Sequence, residues 1–188
     1  IHLNKDTNKK YVYFQGILSI IQRLRYYFGS DAQTFWFIIG FSQFFELFQQ
    51  DNPLYNDEMS YINVYVLVTK MILEKHFPNI YNKFYELNFP IEQFISKHLN
   101  CLYSEYFNSD LLFPFYDILI FEAYNSKDKL KYLRILCATP VTLFQMNEKK
   151  ILQAQTVSEL ETVFDDFIIK TFDSNKFIQE IMLNLDKF

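Results

Sequence analysis

Residues 13–28 read Tyr13-Phe14-Gln15-Gly16-Ile17-Leu18-Ser19-Ile20-Ile21-Gln22-Arg23-Leu24-Arg25-Tyr26-Tyr27-Phe28. Apolar side chains at 14, 17, 18, 20, 21, 24, 27 and 28 recur at helical intervals, while Gln22, Arg23 and Arg25 fall largely between them. Such spacing places one apolar stripe along a helix of about 3.6 residues per turn. Gly29-Ser30-Asp31 follows. It ends that helix and offers Asp31 as a cap for the next one. The second helix is predicted through Phe35-Trp36-Phe37-Ile38-Ile39 to about Gln49, so that the two form a hairpin.

Downstream, Asp51-Asn52-Pro53 breaks the chain and a helical pattern resumes from about Glu58 through Val64, Leu67, Val68, Met71 and Ile72 to His76, where Pro78 stops or kinks it. A shorter piece runs to Leu87. Pro90 then opens a helix from Ile91 to about Tyr106, because proline suits a first helical turn. Ser109 or Asp110 caps a further helix over Leu111 to Tyr124, and Lys127 to Leu136 reads as another that ends near Pro140. Asn147 to Gln155 is a short helix. Ser158-Glu159-Leu160-Glu161 reads as a capping box that places a helix from about Glu159 to Lys170, and Ser174 starts a last amphipathic one. Strand alternation between Asn-Gly or Asp-Gly turns is absent, so the fold class is all-α with irregular helix lengths.

Composition agrees with that reading. Of 188 residues half are hydrophobic, enough for a substantial core, and with only 3 Gly and 5 Pro breakers are scarce. The 22 Phe and 14 Tyr carry no functional message by themselves, since an AT-rich genome produces the same Phe, Tyr, Ile, Asn and Lys bias. A formal charge of −4 without a clustered basic face argues against nucleic acid as partner. The longest apolar tract, Phe35 to Phe48, contains Ser42, Gln43 and Glu46 and falls short of the roughly 20 residues that span a bilayer. Cys101 and Cys137 lack partners at disulfide-framework or zinc-ligand spacing, so free buried thiols are expected and no metal site. An intracellular location, cytoplasmic or bound to membrane or cytoskeleton through partners, is the expectation. The polar opening Asn4-Lys5-Asp6-Thr7-Asn8-Lys9-Lys10 leads straight into helical sequence, and the chain is read as a piece of a longer polypeptide.

Tyr13-Phe14-Gln15-Gly16-Ile17 resembles the Y-x-Q-G-M signature of the TBC domain, the all-helical catalytic module of Rab GTPase activators. The resemblance continues in order. Asp31 ahead of Thr34-Phe35-Trp36 is similar to the acidic residue and A-F-W that open the family's next helix. Phe77-Pro78-Asn79-Ile80-Tyr81, Leu102-Tyr103-Ser104 and Pro114-Phe115-Tyr116-Asp117-Ile118-Leu119-Ile120-Phe121-Glu122-Ala123 resemble later segments, the last of them W-D-x-x-F-x-E-G. Tyr116 stands where the family usually has Trp, Ala123 where it has Gly, and His98 near another usual aromatic, which marks a divergent member. His98 has no carboxylate or nucleophile beside it in the local pattern and is expected to pack rather than to catalyse.

The resemblance implies a multi-helix TBC-like domain over residues 1–170, its amino-terminal part missing from this chain, followed by a terminal helix over 171–188 that packs on it or on a partner. It implies Gln15 as a glutamine finger, with Tyr13, Gly16 and Ile17 at the GTPase contact and Trp36, Tyr116 and Asp117 as structural motif residues. A side-chain amide suits water positioning, because its carbonyl accepts from the attacking water while its NH₂ donates toward the γ-phosphate. The partner implied is a Rab-type small GTPase, which brings its own Mg-GTP, so no cofactor belongs to this chain. The family's other catalytic element, an arginine in I-x-x-D-x-x-R, precedes the glutamine motif. No residue here takes that role, and Arg23 and Arg25 come after the motif. Two other readings stay open: a catalytically inactive TBC-like scaffold or interaction subunit in a larger assembly, and an unrelated helical interaction domain.

Overall fold

A computed structural model describes residues 16–44, 60–125, 131–170 and 173–187. Among these residues there are ten helices and no strand. They are α1 (Ile17–Phe28), α2 (Asp31–Phe44), α3 (Ser60–His76), α4 (Pro78–Glu86), α5 (Ile91–Asn100), α6 (Ser109–Asn125), α7 (Lys131–Met146), α8 (Glu148–Gln153), α9 (Val157–Lys170) and α10 (Ser174–Asn184). The all-α expectation is met, and no helix among the described residues is long and apolar enough to cross a membrane.

The hairpin of α1 and α2 forms as the first stretch requires. Gly29 ends α1 at φ 63°, a left-handed conformation that costs glycine little, and its N–H donates to the Arg25 carbonyl at 3.0 Å. Ile20 and Leu24 point inward, and Phe28 packs on Phe37 with ring centroids 5.2 Å apart. The cap of α2 is Ser30 rather than Asp31: its hydroxyl accepts from Gln33 N at 3.4 Å, while Asp31 lies in the first turn and pairs with Arg25.

The centre of the domain is α7, which touches α3, α6, α8 and α10. From Leu133 to Phe144 nearly every described side chain is buried, Arg134 being the exposed one. Pro140 lies inside this helix, not at its end. Proline removes the bond that would reach the Leu136 carbonyl. The structure replaces it: Tyr103 Oη donates to that carbonyl at 3.0 Å, and one residue earlier Thr139 Oγ1 donates to Ile135 O at 2.7 Å. A sequence-local rule predicted a break that a distant tyrosine prevents.

Three other boundaries differ for identifiable reasons. The helix opened by Pro90 ends at Asn100, not near Tyr106, because Leu102 and Tyr103 adopt positive φ of 45° and 63°. Asn108, not Ser109 or Asp110, caps α6 through its Oδ1, which accepts from Leu111 N at 3.1 Å. The cap of α9 is Thr156, two residues earlier than the predicted Ser158: Glu159 N donates to Thr156 Oγ1 at 3.2 Å, and the Glu159 carboxylate accepts from Gln155 N, the residue before the cap, at 2.8 Å.

Finally α10 packs against α6 and α7 with Phe177 and Ile181 buried. Buried Asn184 donates to Thr142 Oγ1 at 2.7 Å and Gln145 Oε1 at 2.8 Å, so its amide is satisfied in place. Buried rings and the half-buried Phe94 gather where α4, α5, α7 and α9 meet. Phe84, Phe89, Phe94, Phe144 and Phe164 form one cluster with centroid separations such as 5.0 Å (Phe84 to Phe144) and 4.9 Å (Phe94 to Phe164).

Candidate functional site

The segment between α5 and α6 organises the site. Backbone at positive φ is strained for residues with side chains, and two such residues in succession persist only where surroundings impose them. Here three side-chain donors do so. Tyr116 Oη on α6 donates to Leu102 O at 3.2 Å, Arg23 Nε on α1 donates to Ser104 O at 3.0 Å, and Tyr103 carries its own hydroxyl to α7. Tyr116 is fully enclosed, and burial raises its hydroxyl pKa, so it stays a donor. Arg23 has a structural bond here, and Arg25 an exposed pair with Asp31.

Against this turn lies the start of α1. Gly16 is buried with φ −69° and ψ −14°, an ordinary helical conformation, so its missing side chain is not needed for backbone freedom. It is needed for space. A Cβ on Gly16 would stand 2.1 Å from the Asn100 carbonyl oxygen and 2.7 Å from Cys101 Cα. Ser19, one turn along, donates to the Glu105 carboxylate. Gly16, Ser19 and Arg23 thus lay one face of α1 along residues 100–105.

Of the residues singled out from the sequence, Tyr13 and Gln15 lie outside the described residues. Ile17 is half-buried against the core just after Gly16. Trp36 is 55 % exposed on α2 and meets Phe35 edge-on at 5.3 Å, while Tyr116 is buried and Asp117 is exposed on α6. The structure brings Tyr116 to the turn that Gly16 touches and leaves Trp36 and Asp117 at the surface. Asn100 and Cys101 were not singled out for the motif's support, and no local pattern marks them; Tyr103 was read only as part of Leu102-Tyr103-Ser104, not as a support for the motif.

A family model described as the Rab-GTPase-TBC domain matches residues 3–152. The chain belongs to that family. No curated protein and no solved structure matches it. In general terms a TBC domain is a Rab GTPase activator and its partner is a Rab GTPase. Both cysteines of this TBC domain are free and buried, and burial raises the Cys137 thiol to about 12. Among the described residues no group of His, Cys, Asp or Glu could hold a metal ion.

His98 lies on α5 beside the same turn, 5 % exposed, with its ring 4.5 Å from Phe94 and 4.1 Å from Tyr106. Burial first, and the neighbouring Lys97 charge second, push it from 6.5 down to about 3. The unfolded chain therefore takes up a proton near pH 6.5 that the folded chain refuses until about pH 3. Over that window the unfolded state binds more protons, so stability contributed here is complete above pH 6.5 and falls as pH is lowered. Urea unfolding between pH 7.5 and 4.5 should show this slope reduced in His98→Phe, whose ring suits the aromatic surroundings. An unchanged slope would show that other groups carry it.

Proposed function

We propose that this chain supplies the glutamine finger of a Rab GTPase-activating TBC module, with Gln15 orienting the hydrolytic water in the active site of its partner. The observation that carries the reading is the close approach of Gly16 to Asn100, which fixes the residue next to Gln15 against a turn pinned from α1, α6 and α7. An amide that orients water needs such an anchor, because phosphoryl-transfer catalysis rests on positioning and electrostatics. Tyr13, Gly16 and Ile17 are proposed to flank the partner at this point. Mg-GTP belongs to the partner, and no arginine of this chain is assigned to supply the positive charge that completes such a site. The same proposal assigns residues 1–170 to the TBC domain and residues 171–188 to a terminal helix. It places the protein inside the cell, reaching membrane or cytoskeleton through partners.

A second reading, a TBC-like scaffold without activity, has its own observation. Tyr26, Phe35, Trp36, Phe121 and Tyr124 are all exposed by more than half, an apolar display that a binding subunit would use. Single-turnover GTP hydrolysis by a panel of Rab GTPases separates the two. With the full-length protein, Gln15→Ala should slow the stimulated rate about tenfold or more. Equal stimulated rates for both proteins would remove the glutamine role, and no stimulation by either would favour the scaffold.

A further inference from the structure

Gly16, Ser19 and Arg23 recur at helical spacing, so α1 meets the 100–105 turn at three points along about two turns of helix. The three contacts differ in kind. At Gly16 the approach is steric: it limits how near the helix can come and supplies no directional bond. Ser19 bonds the Glu105 carboxylate at the surface, where water competes for both groups. Arg23 is half-buried and donates through Nε to Ser104 O at 3.0 Å.

Arg23 uses direction here rather than charge. Glu105 and Asp165 line the same open cleft, yet among the described residues Arg23 is in no ion pair. Its acceptor is a neutral carbonyl in a turn that needs outside donors, since Leu102 and Tyr103 stand at positive φ. Tyr116 reaches Leu102 O from α6, and Arg23 reaches Ser104 O from α1. Of these two side-chain donors, Arg23 is the one carried by the helix that begins at the glutamine motif.

We propose that Arg23 is a positioning residue for the glutamine finger: its Nε–H ties α1 to Ser104 O, and this directional bond holds the helix start, with Gln15 ahead of it, in register on the turn. The inference rests on the reading of Gln15 as the finger. Without the bond α1 can rotate or slide about the Gly16 contact, and an amide that orients water loses rate with small displacements. Arg23 acts on a carbonyl of its own chain, a role apart from the arginine that supplies charge to the phosphates.

Glutamine places Nε2 the same number of bonds from Cα as arginine places Nε, so Arg23→Gln keeps a donor at that point and loses the charge. Arg23→Met keeps a long side chain and loses the donor. Single-turnover GTP hydrolysis by a panel of Rab GTPases is measured over a range of full-length protein concentrations, below the thermal midpoints of all variants. Arg23→Met should lower the saturating stimulated rate about tenfold with the half-saturating concentration unchanged, and Arg23→Gln should recover most of that loss. In the Gln15→Ala background Arg23→Met should have no further effect, because it acts through Gln15. Arg25→Met removes an exposed cation from the same helix and should leave the rate unchanged. Amide exchange at Ile20, whose N–H donates to Gly16 O at 3.3 Å, should be faster in Arg23→Met and not in Arg23→Gln. An undiminished rate or unchanged Ile20 exchange in Arg23→Met, an equal loss in Arg23→Gln, or a loss that persists without Gln15 would each overturn the proposal. Stimulation of no GTPase, or equal stimulation by Gln15→Ala, would instead remove the reading beneath it, and Ile20 exchange then decides the Arg23 contact by itself.

Discussion

Gly16→Ala is expected to destabilise the fold by about 1–3 kcal/mol and, on the proposed function, to remove GTPase acceleration together with it. The added Cβ would meet backbone atoms, 2.1 Å from Asn100 O and 2.6 Å from its carbonyl carbon, and no flexible side chain can turn aside. Either the turn or the start of α1 must move. The turn is fastened by the Tyr116, Arg23 and Tyr103 hydrogen bonds, so the helix start, adjacent to Gln15, gives way. No helix-propensity gain offsets this, because Gly16 is the residue before the first helical one, where alanine is a poor cap. Gly40→Ala is the matching control. A Cβ there meets nothing within 4 Å, in the interior of α2, so that change should stabilise by about 0.5–1 kcal/mol. Urea midpoints of the two variants should therefore move in opposite directions. If Gly16→Ala matches the unsubstituted protein, the turn does not hold the motif.

That pair of glycines also shows where sequence reasoning stops. Gly29 was readable as a helix end because the reason for it is local: a left-handed residue after an apolar periodic run. The reason for Gly16 is a carbonyl far along the chain, and nothing in residues 13–17 names Asn100. The same division runs through the fold. Pro78, read as the stop or kink of α3, proves also to open α4, while the helix built on a spelled-out apolar stripe, α1, was legible, and so was the start of α5 after Pro90. The end of α7 was not, since Pro140 breaks a helix by local rules and the compensating donor is Tyr103. The end of α5 was missed because Leu102 and Tyr103 are neither Gly nor Asn, and only their tertiary bonds explain their positive φ. For the site, the motif and its family were legible as a pattern. Its supporting turn arises from packing among residues 16–23, 100–105, 116 and 136, which no linear spacing records.

Phe144→Ala should cost about 3–5 kcal/mol, about a fifth or more of the roughly 5–15 kcal/mol that holds a domain folded. Phe144 is 0 % exposed, and its ring lies 5.0 Å from Phe84, 5.7 Å from Phe94 and 5.3 Å from Phe164. Truncation opens a void between α4, α5, α7 and α9, and rigid neighbouring rings cannot collapse into it. Phe144→Leu refills part of that space and should cost less. Phe121→Ala, at a site 62 % exposed, should change stability by no more than about 0.5 kcal/mol. Thermal unfolding of the three variants tests whether phenylalanines that a compositional bias would supply indiscriminately have been sorted by position into a core. Equal losses at 121 and 144 would mean they have not. A large loss at 144 alone would mean that they have, and that this cluster fixes α5 against α9 and with α5 the turn on which Gly16 rests.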